Sequence, residues 1–206
     1  MNSLEKLAGM FMKFPGIGPR QARRFVYFLL GENKTFRDEL SRALSSLSDS
    51  IAQCASCRRF FPRPKTGTFC DICDSPHTDH RTLLIVEKDA DFEAIKKTGS
   101  YNGRYFILGG NIPILEENPS QKIRARELFD EAQRQATEGT LKEIIIATSA
   151  NPEGDNTLAY LKKIIEPLAT HYSLSLSALG RGLSTGTELE YSDTDTFKHA
   201  FENRRG

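Results

Sequence analysis

The chain has 206 residues, 38% of them hydrophobic, which permits a medium domain with a small satellite. No apolar run approaches the ~20 residues of a membrane span, and Met1–Phe14 carries Glu5, Lys6 and Lys13 instead of an apolar leader, so a soluble, cytoplasmic protein with no membrane partner is expected. The net charge of +1 hides an asymmetry: residues 1–81 hold 13 Lys+Arg against 8 Asp+Glu, whereas residues 82–206 hold 15 against 19. A basic front is the footprint of polyanion binding, or an ordinary solvated surface.

Leu4, Leu7, Ala8 and Phe11 recur at helical spacing, and Pro15-Gly16-Ile17-Gly18-Pro19 stops the pattern. Gln21–Leu30 reads as a second helix, with Ala22, Phe25, Val26, Leu29 and Leu30 on one face and Arg20, Arg23 and Arg24 on the other. Residues 36–52 give a third amphipathic helix. From Leu83 the texture becomes alternating α/β. Strands are predicted at Leu83–Val86, Tyr105–Leu108, Glu143–Ala147 and Ser173–Ala178. Helices are predicted at Phe92–Lys97, Ser120–Ala136 and Asn156–Leu168, with a last one capped by Asp195 and running through Phe201. The expected fold is multi-part α/β, its larger part a mainly parallel sheet with helices on both faces.

Four cysteines are all the chain has, spaced Cys54-x2-Cys57-x12-Cys70-x2-Cys73. Zinc takes four thiolates tetrahedrally at ~2.3 Å, and each two-residue spacer lets one turn aim two sulfurs at one ion. A closed structural Zn²⁺ site follows, with His77 and His80 left as surface residues. Between the paired cysteines lie Arg58, Arg59, Phe60, Phe61, Arg63 and Lys65. They suit nucleic-acid contact and equally suit a small module that pads its core with Phe.

Gly16 and Gly18 flank one apolar residue between two helices, so the turn can present backbone N–H groups in front of a helix N-terminus. Arg20, and Arg24 one turn later, would reinforce an anion there. The alternative is a plain helix corner plugged by Ile17. The string Lys13-Phe14-Pro15-Gly16-Ile17-Gly18-Pro19-Arg20-Gln21-Ala22-Arg23-Arg24 resembles the helix-hairpin-helix of RecR, a family of bacterial recombination mediators. The order that follows also matches, a four-cysteine module, a Toprim domain and a C-terminal tail.

Glu87 ends a buried strand and Asp91 lies one turn beyond it, while Glu153-Gly154-Asp155 follows a later strand. Converging at the carboxyl ends of neighbouring strands, Glu87, Glu153 and Asp155 could hold Mg²⁺. They are similar to the Toprim signature, a lone Glu plus an acid-x-acid pair. Helix caps and a solvated rim are the alternative. The resemblance implies that these acids face a partner without catalysis. Gly180–Gly186 fails the dinucleotide-loop spacing and, with Thr187–Tyr191, resembles the family's tail, which packs on a neighbouring subunit. Two departures stand out, Asn111–Glu117 after the Gly109-Gly110 strand end and Asp155-Asn156-Thr157 where Glu-Ala-Thr is usual.

The expected organisation is a hairpin domain at 1–53, a zinc module at 54–81, a Toprim-like domain at 82–172 and a tail at 173–206. The resemblance implies a non-enzymatic DNA-binding mediator, at the nucleoid when on DNA. It would form a homo-oligomer, a dimer or tetrameric ring closed on single-stranded, gapped or double-stranded DNA, and load recombinase with RecO-like and RecF-like partners. Lys13, Gly16, Gly18, Arg20, Arg23 and Arg24 would touch DNA. The competing reading is a Mg²⁺-dependent Toprim nuclease or nicking enzyme.

Overall fold

The computed structural model describes residues 2–183, 186 and 188–204, so Ser184, Thr185 and Thr187 of the glycine-rich tail lie outside the described residues. It forms two compact units, Met1–Ile51 and Ala52–Gly206.

The first unit is helical: α1 Ser3–Phe11, α2 Pro19–Gly31 and α3 Lys34–Ser50. Asn2 and Glu5 close a reciprocal capping box at the start of α1, with bonds of 2.9 and 3.1 Å. Pro19 occupies the first position of α2, where its missing N–H costs nothing. The core is small, Ala8, Ala22 and Val26 with Leu4, Leu7, Phe11 and Ile17 packed against it. Among its described residues α3 buries none, and Leu44 and Leu47 are 59% and 53% exposed. An apolar groove of about 700 Å³ runs past Leu4, Leu7, Phe11, Leu29, Leu40 and Leu44.

A two-stranded sheet that the cysteine spacing does not announce follows α3, with β1 Ile51–Gln53 and β2 Phe60–Pro62. The third helix therefore stops at Ser50 instead of running to residue 52. Next come β3 Asp79–Val86, α4 Asp89–Thr98, β4 Gly103–Ile107, α5 Ala125–Thr137, β5 Glu143–Ala147, α6 Pro152–Tyr172, β6 Ser175–Ala178 and α7 Thr194–Glu202. Strands β3 to β6 make one parallel sheet in the order β4-β3-β5-β6. Its central strands are apolar on both sides because both faces are covered. On one face Leu83, Ile85, Phe106, Ile144 and Ile146 meet Leu128 and Ala132 of α5 and Leu161, Ile165 and Leu168 of α6. On the other, Leu84, Val86, Tyr105 and Ile107 meet Phe92 of α4. Each such side chain contributes about 1.5–3 kcal/mol by leaving water.

Several predicted boundaries shift. The helix predicted from Ser120 is a short 3₁₀ turn, Pro119–Gln121, and then α5 from Ala125. The helix predicted from Asn156 starts at Pro152 because the Asn151 side chain caps Gly154 N–H at 2.8 Å, placing Glu153 and Asp155 in the first turn. The last helix is capped by Asp193, which takes Thr196 N–H and Oγ1 at 2.8 Å each, not by Asp195.

Candidate functional site

In the hairpin, Met12, Lys13 and Phe14 close the end of α1 by donating to Ala8, Met10 and Phe11, and Ile17 N–H returns to Phe14 C=O at 3.2 Å. Gly16 sits at φ +75°, a left-handed conformation that favours glycine. Gly18 is the N-cap of α2 and supplies no side-chain cap, so the first N–H groups of the exposed helix start are open to water or to a ligand. Ile17 does plug the small core. The plug leaves the backbone of the turn open to solvent, since Ile17 turns inward while Gly16 and Gly18 are exposed. Lys13, Arg20, Arg23 and Arg24 are all exposed, and Arg24 touches Gln21 Oε1 at 3.3 Å.

The four cysteine sulfurs lie within 4.8 Å of one another, and Cys57 Sγ to Cys70 Sγ is 3.6 Å. That gap is far beyond the ~2.05 Å of a disulfide. It suits sulfurs placed tetrahedrally at ~2.3 Å from one ion. Mutual hydrogen bonding divides the thiols: Cys57 pulls Cys54 down to about 6, and Cys54 pulls Cys70 well below the thiol range. Cys57 and Cys73 are pushed up, each chiefly by Cys54. A divalent ion held by the four sulfurs would take the place of the retained protons.

The buried Arg59 hydrogen-bonds Cys70, pairs with Asp71 and stacks over Phe61 and Phe92, placing a positive charge beside a thiolate cluster. Phe61 pads the module core, but Phe60 and Phe69 remain exposed. The module is docked on the sheet. Cys57 C=O accepts Ile107 N–H at 2.9 Å, Phe60 N–H reaches Asp89 at 2.9 Å and Ser56 Oγ reaches Glu131 at 2.5 Å.

The acidic residues stand at the carboxyl end of the sheet. Because β3 is flanked by β4 on one side and β5 on the other, the crevice beyond β3 and β5 is the topological switch point where such sheets bind ligands. Glu87 is 1% exposed there, and both its oxygens accept from Ser149, Oε1 from the N–H at 3.0 Å and Oε2 from the hydroxyl at 2.7 Å. Asp91 caps the start of α4 by accepting Lys88 N–H at 2.9 Å. Glu153 accepts Asn111 Nδ2 at 3.3 Å, and Asp155 pairs with Arg181 at 2.6 Å. Among the described residues, only the cysteines form a group of three or more ligand side chains whose donor atoms lie within 4.8 Å of one another. Glu87, Glu153 and Asp155 are not such a group.

Gly154 between the two acids has a packing reason: a Cβ there would lie 2.0 Å from Ser149 O. The two departures from the family pattern meet in space. Asn156 Nδ2 donates to the carbonyls of Ile112 and Pro113 at 3.2 Å each, and the fully buried Thr157 accepts Ile112 N–H at 2.8 Å. Ser149 and Arg181 are the working residues that sequence reasoning missed.

A family model described as RecR, helix-hairpin-helix matches residues 4–47, and one described as Toprim domain matches residues 81–177. Two curated relatives named Recombination protein RecR align along nearly their whole lengths. That of Acidothermus cellulolyticus is 37% identical over 193 residues, 94% of this chain and 91% of the relative. That of Chloroherpeton thalassium is 34% identical over 203 residues, 98% and 96% respectively. The chain belongs to the RecR family. Its RecR hairpin match contains the Gly16–Gly18 turn and its arginines, and its Toprim match contains all four acids. The cysteine quartet falls between the two. These features fit a DNA-binding protein of recombination and repair, and no helix is long and apolar enough to cross a membrane.

Proposed function

We propose that this chain is a non-enzymatic recombination mediator that closes as a homo-oligomeric clamp on gapped or single-stranded DNA. With RecO-like and RecF-like partners it would load recombinase there. The observation that carries the reading is the hairpin: an uncapped helix N-terminus behind Gly16 and Gly18, with Lys13, Arg20, Arg23 and Arg24 exposed around it. Such a site holds phosphate without reading bases, as a protein that must load at any gap requires. Each hairpin alone binds weakly, and a closed oligomer multiplies the contacts through effective concentration.

Self-association is supported by the uncovered apolar face of α3 and by exposed Leu189 and Tyr191 in the tail. A structural Zn²⁺ held by Cys54, Cys57, Cys70 and Cys73 would fix the module on which β4 leans. The acidic end of the sheet, where Glu153 and Asp155 are exposed, serves as a partner surface. The test is DNA binding by an Arg20→Ala, Arg24→Ala variant at moderate salt. Binding is expected to fall sharply while the fold is kept, and parent-like affinity would remove the hairpin from the account. Mg²⁺- or Mn²⁺-dependent nicking that vanishes in Glu87→Gln would show a nuclease instead.

A further inference from the structure

The carboxyl end of the sheet is where a Toprim fold would hold a divalent cation, and the residues of this chain do not fit one. Magnesium demands near-octahedral oxygen ligands at ~2.0–2.1 Å. Here Glu87 is buried with both oxygens engaged by Ser149, Glu153 is turned to Asn111, and Asp155 is already paired. The group beside Asp155 is Arg181, from the tail after β6. Its Nη1 lies 2.6 Å from Asp155 Oδ1 and its Nη2 donates to Ser149 C=O at 3.1 Å. Since the same Ser149 grips Glu87, one guanidinium is joined to both arms of the acidic signature through a single residue.

We propose that Arg181 is the resident cation of this site, standing electrostatically where a metal would and latching the C-terminal tail onto the Toprim sheet. A guanidinium is permanently charged, and its planar fork serves the Asp155 carboxylate and the Ser149 carbonyl at once. The strap is fastened at its other end. Asn203, just past α7, donates through Nδ2 to the Arg181 carbonyl at 3.0 Å. Between strap and sheet remains a cavity of about 450 Å³ lined by Asp155, Arg181, Asp193, Asp195, Lys198 and His199, in which three carboxylates face the Lys198 ammonium and the His199 ring once the guanidinium is gone, an acidic balance that attracts cations. The Asp155 carboxylate is 57% exposed, so the pair adds little stability and its effect is occupancy of the site. This goes beyond the mediator reading by giving a physical cause for a metal-independent Toprim site.

The experiment is a Mn²⁺ titration of the full zinc-loaded chain followed by electron paramagnetic resonance, with hydrogen exchange of residues 179–204 measured in parallel. Arg181→Gln keeps a donor for Ser149 C=O and removes the charge. It should bind Mn²⁺ at least about tenfold more tightly than the parent, a change worth ~1.4 kcal/mol. Asp155→Asn in that background should abolish the gain, and Arg181→Lys should exclude Mn²⁺ like the parent. Tail exchange should quicken in Arg181→Gln and slow again with Mn²⁺. Equal Mn²⁺ affinity in parent and Arg181→Gln would overturn the proposal, as would a gain that survives Asp155→Asn. Either failure leaves the mediator reading standing, because that reading is decided by DNA affinity of the hairpin variant.

Discussion

Replacing Ser149 with Ala isolates one hydrogen bond at the switch point. The Oγ donor 2.7 Å from Glu87 Oε2 is lost, while the backbone N–H to Oε1 at 3.0 Å and the carbonyl that receives Arg181 both stay. Glu87 is 1% exposed, so water has no ready route to replace the hydroxyl. A hydrogen bond to a carboxylate contributes about 1.5–3 kcal/mol, and here nearly all of that should be felt. For a unit of this size about 1 kcal/mol moves Tm by about 2–4 °C, so calorimetry should register a drop of roughly 3–12 °C with an unchanged urea m-value. Adding Glu87→Gln completes a double-mutant cycle whose coupling should carry most of the loss. A Ser149→Ala chain within about 0.5 kcal/mol of the parent would show that Glu87 is not held as described.

Gly154→Ala forces a Cβ to 2.0 Å from the Ser149 carbonyl, and since the obstacle is backbone, destabilisation at the upper end of the ~1–3 kcal/mol overpacking range should appear in urea unfolding. Burial opposes ionisation of Glu131, but hydrogen bonds from Arg134, Ser56 and Gln135 outweigh it and hold the carboxyl below the ordinary carboxylate range. Its contribution is therefore complete above the unfolded value of ~4.3 and is lost as pH falls through the lower folded value, so the acid loss of stability should be shallower in Glu131→Gln. Chelating the metal, or Cys70→Ser, should loosen residues 54–73 and speed exchange of the Ile107 amide, whose acceptor is Cys57 C=O, while the rest of the sheet stays protected. Concerted melting of the whole unit, or an unaffected Ile107, would contradict that.

What the sequence disclosed and what it hid divides by range. The cysteine quartet is legible because two-residue spacers determine which sulfurs can meet, and the four do meet. The hairpin turn is legible because Pro15 and Pro19 cannot continue a helix, while Gly16 and Gly18 admit a backbone that other residues resist. Glu87 at a strand end needs only local periodicity. Its partner Ser149 is 62 residues away, and Arg181 is 32 residues beyond that. No local pattern marks either, because the pairing of β3 with β5 and the return of the tail decide them. Strands β1 and β2 were hidden because three residues are too few for a periodic signal. At the last helix two aspartates compete two positions apart, and Thr196 decides for Asp193 by accepting a place where both its N–H and its hydroxyl can donate. The departures at Asn111–Glu117 and Asp155–Thr157 look unrelated in sequence yet form one stitched contact between a loop and the start of α6.

The most direct test of the central claim is the salt dependence of DNA affinity for the parent and the Arg20→Ala, Arg24→Ala chain. Each phosphate contact contributes about −0.9 to the slope of log K against log salt on duplex and about −0.7 on single strands. The double variant should bind more weakly at every salt concentration, its slope shallower by about 1.8 on duplex or 1.4 on single strands for each hairpin engaged. An unchanged slope would mean that DNA, if bound, is held somewhere other than the Gly16–Gly18 hairpin.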